Sequence, residues 1–176
     1  MPDPLCIRPA AATDDAAIQA LIRTAFAATE YGHQGEAELV HRLADDGDVL
    51  LSLVAERDRA IVGHVLFSRM DVEADGVSLS GAGLGPVATA PDVQGQGIGG
   101  SLIRAGLQTL RERGIAISFV LGHQDYYPRF GYVPELAARF TSPFAGPYFM
   151  AMMLDSGAAW PQGGRADYAP AFGRLG

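Results

Sequence analysis

Apolar and polar positions recur along this chain with two different periods, and the switches between them predict the order of elements. Leu5 to Arg8 reads as a short first strand ended by Pro9. Thr13, Asp14 and Asp15 supply capping oxygens and negative charge at a helix start. Ile18, Leu21, Ile22, Ala25 and Phe26 then recur at helical spacing, which carries that helix to about Ala28. A polar segment, Thr29 to Gly35, leads to a second helix with Ala37, Val40, Leu43 and Ala44 on its apolar face, broken at Asp45 to Asp48. Strands are predicted at Val49–Glu56 and Ile61–Val72, joined by the polar turn Arg57-Asp58-Arg59. A second turn at Asp75-Gly76 precedes a strand from Val77 to about Thr89, irregular around its glycines.

Beyond Thr89 a glycine-dense turn opens a helix at about Ile98. Ile98, Leu102, Ala105, Gly106, Leu107 and Leu110 point it towards a core, and Gly114 stops it. Ile115–Leu121 is short, apolar and partly β-branched, as a buried strand should be. Asp125–Phe130 predicts one or two helical turns, with Pro128 near their start. Tyr148–Leu154 reads as a closing strand, and the last twenty residues as loop with a short edge segment. No repeat or linker divides the chain. The expectation is one domain over residues 1–176, with a core at about 5–155 and a tail at 156–176.

Composition narrows the classes of function. A length of 176 residues suits one domain with a sizeable core, and 48% hydrophobic with 19% charged residues is ordinary for a globular protein. A net charge of −7 argues against a nucleic-acid partner and suits a cationic one such as an amine. The single cysteine, Cys6, leaves no intrachain disulfide framework and no cysteine-cluster metal site, so no metal is expected. No apolar run reaches the ~20 residues that span a bilayer, so no membrane partner is expected. The N-terminus, MPDPLCIRPA, lacks the basic-then-apolar layout of a secretion signal, which makes the cytoplasm the expected compartment.

The chemistry concentrates in Gln94-Gly95-Gln96-Gly97-Ile98-Gly99-Gly100, four glycines in seven residues. Backbone without Cβ atoms curls tightly, and the following helix adds unpaired N–H groups and the positive end of its dipole. Together they predict a main-chain cradle for a phosphorylated cofactor. A nucleotide-hydrolase P-loop fails, because no lysine follows these glycines. Gly95, Gly97 and Gly100 satisfy the dinucleotide pattern Gly-x-Gly-x-x-Gly. That pattern also wants a carboxylate at the end of the next strand, and here the strand ends Gly122-His123.

Gln94-Gly95-Gln96-Gly97-Ile98-Gly99 resembles the acyl-CoA pyrophosphate loop of the GNAT superfamily of N-acetyltransferases: Gln or Arg, two residues, Gly, one residue, then Gly or Ala. A second anchor, Tyr127-Pro128-Arg129-Phe130-Gly131-Tyr132, is similar to the family's Tyr-x-x-x-Gly-Phe segment, with Tyr132 in place of the usual Phe. The order of elements from Ile7 to about Leu154 agrees with the family layout, and the two motifs with their flanks resemble a branch of bacterial predicted acetyltransferases. The resemblance implies a mixed α/β fold with a twisted, mainly antiparallel central sheet flanked by helices, two of whose strands splay apart to admit acetyl-CoA. It implies that Gln94, Gly95, Gln96, Gly97, Ile98, Gly99 and Gly100 bind pyrophosphate, and that main chain of Val87, Ala88 and Thr89 holds the pantetheine arm and the acetyl carbonyl. It implies that the Tyr127 hydroxyl serves the leaving sulfur as general acid, with Tyr126 as the neighbouring alternative. The implied reaction is direct transfer of acetyl from acetyl-CoA to a primary amine, on a small molecule or a peptide, in a ternary complex. A homodimer fits the superfamily.

Other residues carry weaker readings. His123 stands where many family members place an asparagine that contacts the cofactor; it is a candidate for that contact or for a base, and reads first as a structural or loop histidine. Glu30, His33 and Glu36, in and beside the polar segment between the first two helices, are the candidates for a general base. His64, within an apolar strand, reads as a packed core residue. Arg104 and Arg129 are candidates for CoA phosphates. Cys6 is remote from every motif, so no acetyl-cysteine intermediate is expected. Two other classes remain at this stage: a non-catalytic acyl-CoA-binding module, and a nicotinamide-dependent oxidoreductase using the Gly-x-Gly-x-x-Gly match.

Overall fold

The computed structural model describes residues 3–27 and 35–174. In chain order these form β1 (Cys6–Pro9), a 3-10 turn (Ala12–Asp14), α1 (Asp15–Ala27), α2 (Glu36–Asp45), β2 (Val49–Arg57), β3 (Ala60–Ala74) and β4 (Val77–Thr89). A 3-10 turn (Pro91–Val93), α3 (Ile98–Glu112), β5 (Ile117–Leu121), a 3-10 turn (Tyr127–Phe130) and α4 (Pro134–Ala137) follow. The chain closes with β6 (Phe140–Thr141), β7 (Phe149–Met153), β8 (Gly164–Tyr168) and a 3-10 turn (Pro170–Arg174). The fold is mixed α/β, with strands hydrogen-bonded in the order β1-β2-β3-β4-β5-β7, and with β8 paired to β3 and β6. Two compact units share these elements: among the described residues, 3–27, 35–67, 86–106 and 170–174 in one, and 68–85 with 107–169 in the other.

In the first unit, β1 runs antiparallel to β2, with Cys6 opposite Glu56 and Pro9 opposite Leu53. Arg8 grips both Asp14 carboxylate oxygens, at 2.7 and 3.1 Å, and Glu56 at 2.8 Å. Asp14 also accepts the Ala11 N–H at 2.7 Å, so Asp14 rather than Thr13 organises the entry to α1. The Arg8 hydrogen bonds, then that N–H, hold the Asp14 carboxyl down at about 2. On α2 the buried residues are Ala37, Leu39, Val40 and Leu43. Ala44, expected inside, is exposed, and Leu39 takes its place. Burying Leu removes far more apolar surface from water than burying Ala, and that settles the helix's rotation.

Helix α3 packs on β3 through two glycines. A Cβ on Gly63 would stand 2.8 Å from Ile98 Cγ2 and 2.9 Å from Leu102 Cδ1, and a Cβ on Gly106 would enter the ring of Phe67. Ile98, Leu102, Ile103, Leu107 and Leu110 are all buried; Ile103 was absent from the predicted face. Gly106→Ala should therefore lower stability by about 1–3 kcal/mol, the usual cost of overpacking, read as a lower urea midpoint at unchanged slope. An unchanged midpoint would show that Phe67 shifts without cost.

In the second unit, Asp75 and Gly76 both have positive φ (52° and 81°), as a two-residue type I′ hairpin between β3 and β4 requires. β5 pairs parallel with β4, Gly81–Leu84 against Ile117–Val120, and antiparallel with β7. β4 then passes through Pro86, which has no N–H for a ladder, and continues to Thr89. Phe119 anchors the core, stacked on Phe149 and edge-on to Phe140, both at 5.2 Å. The expected terminal loop with an edge segment is corrected by β8. That strand is bonded on both sides, antiparallel to β3 and parallel to β6, and Ala166 is fully buried. Its sequence, Gly-Arg-Ala-Asp-Tyr, offers only Ala166 and Tyr168 as inward positions, too short a pattern to announce a strand. Gly164 lies against the main chain of Glu73, and Gly83 leaves room for the Tyr168 ring.

Candidate active site

The glycine segment lies in the first unit and is built as expected from the sequence. Gly95 and Gly97 both have φ of 80°, a left-handed conformation that turns the chain sharply before α3. A Cβ on either would meet nothing within 4 Å, and Gln94 to Gly97 are exposed. The first bond of the helix runs from Ser101 N to Gly97 O at 3.0 Å. The N–H groups of Ile98, Gly99 and Gly100 precede that bond and belong to the unpaired first turn. They and the positive helix end make this a place for an anion. Side chains steady the loop: Gln94 Nε2 donates to Thr89 O at 3.3 Å, and Arg57 Nη1 donates to Gln96 Oε1 at 3.0 Å. Just before the loop, Ala90 N donates to Val62 O at 2.9 Å, tying the end of β4 to β3. Ala88 points inward and is buried, whereas Val87 and Thr89 are half-buried on the other face.

The tyrosine turn lies in the second unit. The His123 carbonyl accepts N–H bonds from Tyr126 at 3.1 Å and Tyr127 at 3.3 Å, which starts the turn, and Gly131 leaves it with φ of 110°. Tyr127 is half-buried with its ring over Gly122, where any Cβ would collide with it. It packs edge-on against Tyr126 at 5.0 Å and Tyr132 at 6.1 Å. Burial, then the neighbouring Tyr126, pushes the Tyr127 phenol up to about 12. It therefore stays protonated and available as a donor across the physiological range. Tyr126 instead packs on Phe130 and carries the Arg129 guanidinium 4.6 Å above its ring.

Tyr132, the departure from the family's Phe, is fully buried, and its hydroxyl lies 2.7 Å from Ser118 Oγ. The extra oxygen is thus satisfied by the one hydroxyl residue of the strand segment 115–121. The sequence reading gave no site role to Ser118, Gly122 or Arg57. A serine in an otherwise apolar strand was a usable signal for the first. From sequence Arg57 reads as part of a polar turn, where an arginine is indistinguishable from a solvated one, whereas the structure makes it the last residue of β2.

The base candidates do not converge. Glu30 and His33 lie outside the described residues, and Glu36 is half-buried in the first turn of α2. His123 is an exposed loop residue. Arg129 is engaged with Tyr126, and Arg104 is exposed on α3. His64 is a core residue as expected: wholly buried, with Nε2 at 2.9 Å from Ser52 Oγ, and pushed down to about 4 by that burial. The unfolded chain protonates it below its ordinary 6.5, the folded chain only below about 4. Stability is therefore full above pH 6.5 and lost as pH falls from there towards 4. Its share between pH 7 and pH 5 is about 2 kcal/mol. Urea denaturation at the two pH values should show that loss, and His64→Leu should flatten it; an equally steep loss in the variant would assign it to other groups.

In chain order the glycine loop opens α3 between the parallel strands β4 and β5, and the tyrosine turn follows β5. Residues 6–134 match the acetyltransferase (GNAT) domain, and the chain belongs to that family. It is 40% identical over 126 residues to the uncharacterized N-acetyltransferase YhbS of Escherichia coli K12, covering 71% of this chain and 70% of YhbS. It is 42% identical over 106 residues to the uncharacterized N-acetyltransferase YjhQ of the same strain, a match spanning 59% of either chain. Among solved structures, a GNAT family acetyltransferase from Brucella melitensis in complex with acetyl-CoA is similar at a TM-score of 0.79 and 36% identity, over 96% of this chain and 98% of that one. E. coli YhbS in complex with CoA is similar at a TM-score of 0.83 and 32% identity, over 99% and 96%.

Proposed function

We propose that this protein transfers an acetyl group from acetyl-CoA to a primary amine by direct attack within a ternary complex. The observation that carries the reading is the main-chain loop of residues 94–100, with left-handed Gly95 and Gly97 before the free first turn of α3. The acetyl-CoA and CoA complexes of the Brucella and E. coli relatives support the same donor. In this reading the amides of Gly95 to Gly100 hold the pyrophosphate, and Val87, Ala88 and Thr89 present main chain to the pantetheine arm and the thioester carbonyl. One N–H aimed at that oxygen stabilises the developing oxyanion, worth about 3–4 kcal/mol where the device has been measured in hydrolases. The neutral amine nitrogen attacks the carbonyl carbon and the C–S bond breaks. The electron pair leaves on sulfur, where the Tyr127 O–H is its hydrogen-bond donor. Nitrogen loses its extra proton to a base or water chain. The net charge of −7 favours an acceptor that arrives as a cation.

Calorimetric titration of the purified protein with acetyl-CoA, CoA and NAD tests the donor. Micromolar binding of acetyl-CoA without response to NAD is expected, and silence towards acetyl-CoA overturns the reading. Once an acceptor amine is found, double-reciprocal lines should intersect; parallel lines would contradict direct transfer.

A further inference from the structure

Arg57 ends β2 and reaches the middle of the glycine loop. Its Nη1 donates to Gln96 Oε1 at 3.0 Å, and Gln96 stands between the two left-handed glycines. That amide orients the guanidinium without neutralising it. The carboxylates beside Arg57 in sequence are engaged elsewhere: Glu56 pairs with Arg8 at 2.8 Å, and Asp58 accepts the Asp3 N–H at 2.8 Å. Among the described residues, no carboxylate pairs with Arg57. A guanidinium has five N–H donors in a planar fork, and four of these remain for an anion. A chain of net charge −7 that binds a polyanion needs positive potential at the point of contact, and the helix end supplies only about half a charge.

We propose that Arg57 is the cation of the loop, donating from its fork to a phosphate oxygen of the acyl donor held on the amides of residues 94–100. This rests on the acetyl-CoA reading above, and makes the β2–β3 hairpin part of the donor site. Gln96 then keeps the fork turned towards the loop before the donor arrives.

The test compares acetyl-CoA with S-acetylpantetheine, which carries the same thioester but no phosphate. In Arg57→Gln the ratio of kcat/KM for acetyl-CoA to that for S-acetylpantetheine should fall roughly tenfold, the size of one charge-assisted hydrogen bond. The loss should appear in KM rather than kcat. Arg57→Lys, which keeps the charge but loses the fork, should recover part of it. The salt dependence of acetyl-CoA binding should become shallower in Arg57→Gln. Equal losses towards both donors, which leave the ratio unchanged, would show that Arg57 merely supports the fold, and no loss towards either would remove it from the site. Either outcome overturns this inference and leaves the donor reading standing, whereas a wild-type protein silent towards acetyl-CoA overturns both.

Discussion

Gly97→Val should weaken acetyl-CoA binding by roughly 100-fold while the protein still folds. The expectation comes from two separate costs at one residue. The φ of 80° at Gly97 lies in the left-handed region, where a β-branched side chain is an outlier. Forcing it there costs about 1–2 kcal/mol of stability, which a domain of this size tolerates. No atom lies within 4 Å of the Cβ position, so packing adds nothing to that cost. The same open side is where a bulky anion must approach the amides, and valine would occupy it. Losing two charge-assisted N–H bonds, at about 1.5–3 kcal/mol each, is enough for the 100-fold. Calorimetry measures the binding, and urea denaturation shows whether the stability loss is the small one expected. Affinity within about threefold of wild type, a difference of under 1 kcal/mol, would mean that the anion does not sit on this loop. The two measurements must be read together, because a protein that unfolds also fails to bind.

Most of the fold was legible because its longer elements repeat their patterns several times. α1 carries four buried apolar residues at helical spacing, and α3 five, so a single misjudged position could not hide either helix. The hairpin at Asp75-Gly76 announced itself through the residue pair that type I′ geometry favours. The misses have a common origin in tertiary context. β8 is short, and its burial comes from partners about ninety residues away, Met70 to Ala74, which no local window can see. Leu39 displaced Ala44 because burial is decided by the area removed from water, while periodicity alone accepts either. The turn before α3 and the helix start at Ile98 were legible, because left-handed φ and an unpaired helix start are local demands that leave a local signature. Arg57 was not: its importance lies in Gln96, 39 residues away, and in the engagement of its neighbouring carboxylates elsewhere. The base is a different kind of gap. A proton acceptor needs only the right atom in the right place, and no spacing rule fixes where such an atom comes from.

Tyr127→Phe should lower kcat by roughly 10- to 100-fold, at the low end of what a positioned acid supplies, with acetyl-CoA affinity nearly unchanged. The ring stays in its cluster with Tyr126, Phe130 and Tyr132, so only the hydroxyl is removed. Burial pushes that phenol up to about 12. A leaving thiol has an ordinary pKa of about 8.5, so complete proton transfer from Tyr127 would be uphill by roughly 5 kcal/mol. In the proposed reaction the hydroxyl would then act by donating a hydrogen bond as charge builds on sulfur, keeping its proton through the cycle. Two consequences separate this role from a structural one. The wild-type rate should show no loss from tyrosine ionisation as pH rises through 10, because Tyr127 still holds its proton there; an unperturbed phenol would already be half ionised. The deficit of the Phe variant should also shrink with acyl thioesters whose leaving thiols are more acidic, since a stabler thiolate needs less help. A deficit independent of the leaving thiol would assign the loss to misplaced packing, and an unchanged kcat would end the role proposed for this residue. In that case Tyr126, the adjacent phenol, would be the group to replace next.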